Sequence, residues 1–365
     1  MKIRSAGPKF FAVVAFFLPA FAVAAAAQDE TSGESQNAAQ GVPAESETFP
    51  FDAAGRENSA PEGNGATRCV LSVVDDNDFF GGWSDKYYTN HTRIALTLGS
   101  DAPAADGNGV AAENALRSAW FFSIGQEMYA PKDREARIPD ERDHPYAGYL
   151  YLSVGKTWFD NDFAFSPEIQ LGVTGESSYA DKIQRRYHAI IDEVKPRGWD
   201  TQIHGRAVVQ AIADVRKRMM ISGKCADGGN AADVIFRGFA GFGNLRGTLS
   251  AGTQLRAGLN LPRDFGATNL RQSASVVFDP QVDFSIYGYF DVQVDAIFWD
   301  ETLTGNNSRG HDIYAYPLAA QATLGICFVY DPFMLSVFQS VRSKDFSSQD
   351  KDSFAYGGFK LSVFF

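Results

Sequence analysis

Beyond its N-terminal residues the chain has no apolar run of the roughly 18 residues that a membrane helix needs, so any bilayer it crosses must be crossed by strands. Cysteine is scarce. Cys69, Cys225 and Cys327 are widely separated, with no C-x-x-C and no metal-ligand spacing, which excludes a disulfide-dense scaffold and a cysteine metal site. They read best as small, semi-buried residues. Basic surplus is also missing: 33 Lys and Arg against 44 Asp and Glu give a net charge of −11, not the profile of a nucleic-acid binder. No repeat of fixed period is present, which argues against a propeller or solenoid. The G-x-S-x-G signature of one large class of serine hydrolases is absent.

Phenylalanine and glycine are abundant, at 30 and 34 residues, as a chain of many strands and tight turns requires. Residues 1–27 carry Lys2 and Arg4, an apolar core from Phe10 to Ala26 and an alanine exit, the layout of a signal peptide cleaved near Ala27. Export is the expectation. Residues 28–67 are rich in Ala, Ser, Glu, Gly and Asn, too polar to offset their ordering entropy, and are expected to form a disordered leader. The folded domain is expected over 68–365.

Within it, segments alternate apolar with small or polar residues. Asp291, Gln293 and Asp295 share one face of a strand whose other face is Phe290, Val292, Val294 and Ala296. The last segment does the same and ends on Phe365. A soluble sandwich would bury Asp291, Asp295 and Arg256, whereas a membrane barrel puts the apolar face in lipid and the polar face in a lumen. Aromatics near strand ends (Trp120, Trp158, Phe159, Phe298, Trp299, Tyr330) fit the second arrangement. The fold expected is therefore all-β, a transmembrane antiparallel barrel of about twelve strands. They fall at 69–76, 89–99, 116–129, 146–158, 164–176, 203–221, 233–245, 249–260, 283–300, 313–329, 333–343 and 353–365. The long connection 261–282 is the least regular, since it falls on the side where turns are normally short.

Ser177–Asp192 breaks the strand pattern: Tyr179, Ile183, Tyr187, Ile190 and Ile191 recur at helical spacing, so a short amphipathic helix is expected in the fifth connection. Parity then puts all the unusual chemistry on one rim. The first connection holds Asp75, Asp76, Asn77 and Asp78, the third holds Pro139 to Pro145, and the fifth holds the helix. Oxygen donors at a strand end suit either a solvated loop or a hard cation such as Ca²⁺. His188 shares a helix face with Gln184 and Asp192, partners that would fix the tautomer of a general base; a plain surface histidine is the alternative. Thr89, His91 and Arg93 alternate inward, where Thr89 is by itself a structural hydroxyl.

Five blocks in order carry a resemblance: N-D-F-F from Asn77, Y-Y-T-N from Tyr87, Q-E-M-Y-A-P from Gln126, P-Y-A-G-Y-L-Y from Pro145, and Q-R-R-Y-H from Gln184 followed by P-R-G-W-D-T-Q-I. Over about 68–365 the chain resembles the lipid A 3′-O-deacylase family of LpxR type. The resemblance implies a twelve-stranded, Ca²⁺-using esterase barrel of the Gram-negative outer membrane that hydrolyses the 3′-linked acyl chain of lipid A in lipopolysaccharide; a monomer is expected. It places the Asn-Asp pair and metal on Asn77 and Asp78, a hydroxyl on Thr89, an amide on Gln184 and the base on His188. The family's glutamate six residues after the histidine falls on Val194, leaving Glu193 as the substitute. Lys132, Arg134 and Arg137 are candidates for its third-connection lysine. The alternatives are an outer-membrane phospholipase with a serine nucleophile and a non-enzymatic porin or structural barrel.

Overall fold

A computed structural model of the chain describes residues 67–78, 80, 86–100, 117–192, 194–266, 282–305 and 313–365. The signal peptide and most of the leader expected above lie outside the described residues. Twelve antiparallel strands form one closed barrel, each paired with its neighbours in sequence and the first with the last. They are β1 (Thr67–Asn77), β2 (Tyr87–Ser100), β3 (Arg117–Ala130), β4 (Ala147–Phe159), β5 (Phe163–Thr174) and β6 (Ala207–Ser222), followed by β7 (Asn230–Gly243), β8 (Arg246–Leu259), β9 (Phe284–Asp300), β10 (Leu318–Tyr330), β11 (Phe333–Ser343) and β12 (Ser353–Phe364).

The alternation in β9 is realised as the sequence requires: Asp291, Gln293 and Asp295 are buried inside and Phe290, Val292 and Val294 are exposed outside. Leu324, Ile326 and Phe328 of β10 and Leu335 and Val337 of β11 extend the same apolar outer face. A surface of this kind is stable only against lipid. Among the described residues no helix is long and apolar enough to cross a membrane.

The lumen differs from a water-filled one. Its charges are buried and paired: Arg93 with Glu168 at 3.2 Å, Arg237 with Asp291 at 3.0 Å, Arg216 with Asp214 at 2.8 Å, and Arg342 with Asp295. Arg246 of β8 reaches Glu127 of β3 at 3.0 Å and Asp300 at 3.1 Å, so a cation spans the barrel between nearly opposite walls. The irregular β8–β9 connection explains itself here. Its first residues turn into the barrel, burying Leu261 and Phe265 and setting Asp264 against Arg256, which also binds Asp233 at 2.6 Å. Arg216 Nη1 donates to the Phe265 carbonyl at 3.0 Å, and Gly266 closes the turn at φ +82°, a conformation open to glycine. At the opposite mouth Tyr87, Leu303, Ile313 and Phe346 pack together, with Leu303 carried on the one-turn helix α2 (Glu301–Thr304), whose Asp300 cap accepts from Thr302 N–H at 2.9 Å.

Four details depart from the sequence pattern. The sixth strand starts at Ala207 rather than 203, because a 3-10 turn at Trp199–Thr201 precedes it and Ile203 N–H donates separately to the Tyr146 carbonyl at 2.9 Å. The tenth starts at Leu318, since Ile313 belongs to the apolar cap. Phe159 is buried and does not join the outer aromatic girdle, where Trp120, Phe298, Trp299 and Tyr330 are exposed. Thr89 is the extra residue of a β-bulge between Tyr88 and Asn90, opposite Tyr129 and Met128.

Reconstituted in planar bilayers, the protein is expected to show no steady single-channel current, because ion pairs cross the lumen and residues 261–266 fold into it; a stable porin-like conductance contradicts this.

Candidate active site on the outer wall

The end of β1 sets the geometry. Tyr88 Oη donates to Asp76 Oδ2 at 3.1 Å, so Asp76 faces the lumen, and by alternation Asp75 and Asn77 face the other way. Asp75 is nevertheless only 3% exposed. Its Oδ2 accepts from Asn90 Nδ2 at 2.9 Å and Thr92 Oγ1 at 2.5 Å, both on the outward face of β2. Asn77 stands opposite Asn90 on one side and Gly357 of β12 on the other. Asp78, buried as the chain leaves the strand, accepts from the backbone N–H of Lys86 at 2.6 Å. Thr89 is buried in the bulge, and among the described residues its Oγ1 has no hydrogen-bond partner.

Beside this corner the wall is covered. β3 alternates from Ala119 to Gly125, but Gln126 to Ala130 are all buried, on both faces. The cover is the β5–β6 connection: a 3-10 turn, Gly175–Ser178, followed by helix α1, Ala180–Ile191. Gln126 Nε2 donates to the Ser178 carbonyl at 2.5 Å, and Met128, Ala130, Tyr146, Ala180 and Trp199 form one apolar cluster. Gly148 permits the approach, since a Cβ there would lie 2.2 Å from Ser178 Oγ and 2.5 Å from Ala180 Cβ.

The helix is amphipathic, as its spacing implies. Over residues 180–186 it turns Ile183 out while Gln184 is 3% exposed, and Tyr179, just before it, is 52% exposed; His188 is also 3% exposed. Outside a membrane barrel Tyr179 and Ile183 have a favourable partner in lipid, and Gln184 has one in the covered wall. Gln184 Oε1 accepts from Trp199 Nε1 at 2.7 Å, and the indole packs on Tyr146 with ring centroids 4.8 Å apart. Trp199 is thus an anchor, and Gln184 is held by it. Tyr187–Glu193 forms part of a compact unit separate from the barrel. Within its described residues the Tyr187 and His188 rings meet edge to face at 6.4 Å. Asp192 is exposed and left-handed at φ +55°, past the end of the helix, so it does not share a helix face with His188. Glu193 lies outside the described residues. Val194 is exposed.

Asn77, Asp78 and Thr89 bring an amide, a carboxylate and a hydroxyl to one strand end. Donors of this kind, all oxygen, fit a hard cation of the Ca²⁺ class. Among the described residues no three of His, Cys, Asp and Glu gather in metal-binding geometry. The sequence alone does not set Asp75 apart from Asp76 or single out Asn90 and Thr92 as its partners; their signal is the polar pairing of outward positions on adjacent strands, visible once the register is known.

An apolar outer face around a lumen crossed by buried ion pairs defines a class: an outer-membrane β-barrel. The chain belongs to the family described as outer membrane protein LpxR, whose sequence model matches residues 13–365. Among solved structures, LpxR from Salmonella typhimurium aligns with a TM-score of 0.68 at 18% identity, covering 81% of this chain and 100% of that one, and so shares the fold. The β domain of the Bordetella autotransporter BrkA aligns at TM-score 0.38 and 8% identity over 82% of this chain and 98% of its own. The translocator domain of NalP from Neisseria meningitidis aligns at 0.38 and 11% over 83% and 89%. No curated protein sequence matches. The protein is located in the outer membrane.

Asp350, in the β11–β12 connection, ties this rim together. It accepts from Tyr87 Oη at 2.5 Å and pairs with Lys132 at 3.0 Å and Lys86 at 3.3 Å. Partial burial pushes its carboxyl up, but the bonds from Tyr87 and Lys132 and the charge of Lys86 outweigh it and hold the carboxyl well below the ordinary range. A depressed carboxyl stabilises the fold above its unfolded value and stops doing so as the pH falls through its folded value. Asp350→Asn is expected to speed proteolysis of the connections near pH 7. The difference from wild type should shrink below about pH 4 and vanish in stronger acid. Equal cleavage of the two proteins at pH 7 would show that the tie contributes nothing.

Proposed function

We propose that this protein is a lipid A 3′-O-deacylase, a carboxylic ester hydrolase of the outer membrane that removes the 3′-linked acyl chain of lipid A. The observation that carries the proposal is the buried polar patch on the lipid-facing wall at one barrel rim, in a member of the LpxR family. Lipid A occupies the outer leaflet, so a site on the outer wall at the outward rim meets an ester without drawing the lipid into a lumen. The charge-filled lumen favours this reading over a porin.

In the proposed reaction His188 is the general base. It takes a proton from water as the oxygen attacks the acyl carbonyl, then returns that proton to the sugar oxygen as the ester bond breaks, leaving a free 3-hydroxyl and a fatty acid. No acyl-enzyme forms. Gln184, fixed by Trp199, orients the reacting groups from the same helix, and the Thr89 hydroxyl has a bond to offer to water or substrate. Asn77 and Asp78 would hold Ca²⁺, which when bound supplies positive charge to the oxyanion that develops at the carbonyl. Glu193 is the proposed stand-in for the glutamate that Val194 displaces. Tyr179 and, on α1, Ile183 are exposed and would keep the start of that helix at the membrane surface. We read the protein as a monomer.

Mass spectrometry of lipid A from cells with and without the protein is expected to show loss of one 3′ acyl or acyloxyacyl unit. His188→Ala and Asp78→Ala should each reduce that activity at least 100-fold, the usual scale for a general base or an oxyanion stabiliser, while the heat-modifiable folded band persists on gels. Full activity in either variant would remove that residue from the mechanism. Calcium is tested separately: excess chelator should abolish turnover and added Ca²⁺ restore it, and an unchanged rate eliminates the metal.

A further inference from the structure

Asp75, Asn90 and Thr92 form a closed hydrogen-bonded set whose members all lie on the outward side of the wall. Asn90 Nδ2 donates to Asp75 Oδ2 at 2.9 Å and to the Asp76 carbonyl at 3.1 Å; Thr92 Oγ1 lies 2.5 Å from Asp75 Oδ2 and 3.0 Å from Asn90 Oδ1. Asp75 and Thr92 are directly opposed in the ladder, as are Asn77 and Asn90. The outward face of a membrane strand ordinarily carries apolar residues, and a β-branched apolar pair would hold β1 to β2 without the desolvation that a carboxylate and an amide incur. Polar groups kept at such a position mark function. Asp75 Oδ2 already takes two donors, and the Asn90 amide group spends its hydrogens on Asp75 and on the backbone. These side chains therefore hold something in place.

The Asp76 carbonyl belongs to the peptide that leads into Asn77. Fixing it fixes the plane from which the Asn77 and Asp78 side chains depart, directly beside the Thr89 bulge. We propose that Asp75, Asn90 and Thr92 are a positioning clamp that sets the orientation of the Asn77–Asp78 segment for the reaction. The clamp rests on the deacylase reading above for its purpose, and on the wall geometry alone for its existence.

Thr92→Val keeps the shape of the side chain and removes the hydroxyl, whereas Thr92→Ser keeps the hydroxyl. Asn90→Ala removes both amide donors. Per folded barrel, kcat on lipid A is expected to fall about tenfold in Thr92→Val, the worth of one charge-assisted hydrogen bond, and further in Asn90→Ala, with KM within about twofold and Thr92→Ser near wild type. Backbone hydrogen exchange at residues 76–78, read by mass spectrometry in the full protein, should quicken by a similar factor in both disruptive variants. A loss of activity that only follows the folded fraction on heat-modifiability gels overturns the clamp. So does unchanged exchange at 76–78, or quickened exchange with unchanged kcat. Wild-type protein that leaves lipid A intact overturns the deacylase reading instead, and the clamp is then decided by exchange alone.

Discussion

In hydrocarbon, backbone N–H and C=O groups have no water to turn to, so every strand must find two partners, and the sheet has to close on itself. That requirement is met where β1 pairs with β12, from Val70 opposite Phe364 to Asn77 opposite Gly357. Everything described at the candidate site hangs from this seam. Asn77 ends the ladder on both sides, Asp78 is the first residue to leave it, and the bulge at Thr89 is the first irregularity on the neighbouring strand. The site is built where the barrel's regularity gives out, and its position follows from the ladder.

Burial in this protein runs opposite to that in a water-soluble domain. Apolar side chains lie outside, and the interior is held by arginine and carboxylate pairs that share hydrogen bonds across the lumen, such as Arg246 between Glu127 and Asp300. Buried pairs of this kind are weak evidence for stability, since desolvation offsets much of their attraction. Their effect is to set charged side chains across the barrel interior. The exception to the inverted pattern is the patch at Asp75, Asn90 and Gln126, where outward residues are polar and covered. Inversion applies to α1 as well. Over residues 180–186 its Ile183 is exposed while Ala180 and Gln184 are buried, an arrangement that suits a helix start lying between lipid and a polar wall.

Alternation made the strands legible, because each has one face in lipid and one in the lumen, and residue identity follows the face. The twelve-strand order and most boundaries follow from that period alone. It also gathers the candidate residues on one rim, since strand parity does not depend on contacts. Alternation could not reveal the places where a third layer intervenes. Gln126 to Ala130 read as strand but are buried on both faces, and the helix reads as amphipathic without saying which medium its apolar side prefers. The bulge at Thr89 is silent in sequence. Asp75 and Asp76 look alike in a run of acids; the register alone separates the lumenal one from the outer one.

Asn77 has as neighbours a residue of the second strand and one of the last, the latter near the end of the chain. A chain cut before Ser353 would carry each proposed catalytic side chain in its sequence and still lack one bank of the channel of peptide bonds that holds Asn77 in place. The proposed site therefore needs the last strand as much as the first, because closure of β12 on β1 supplies the second ladder partner of Asn77.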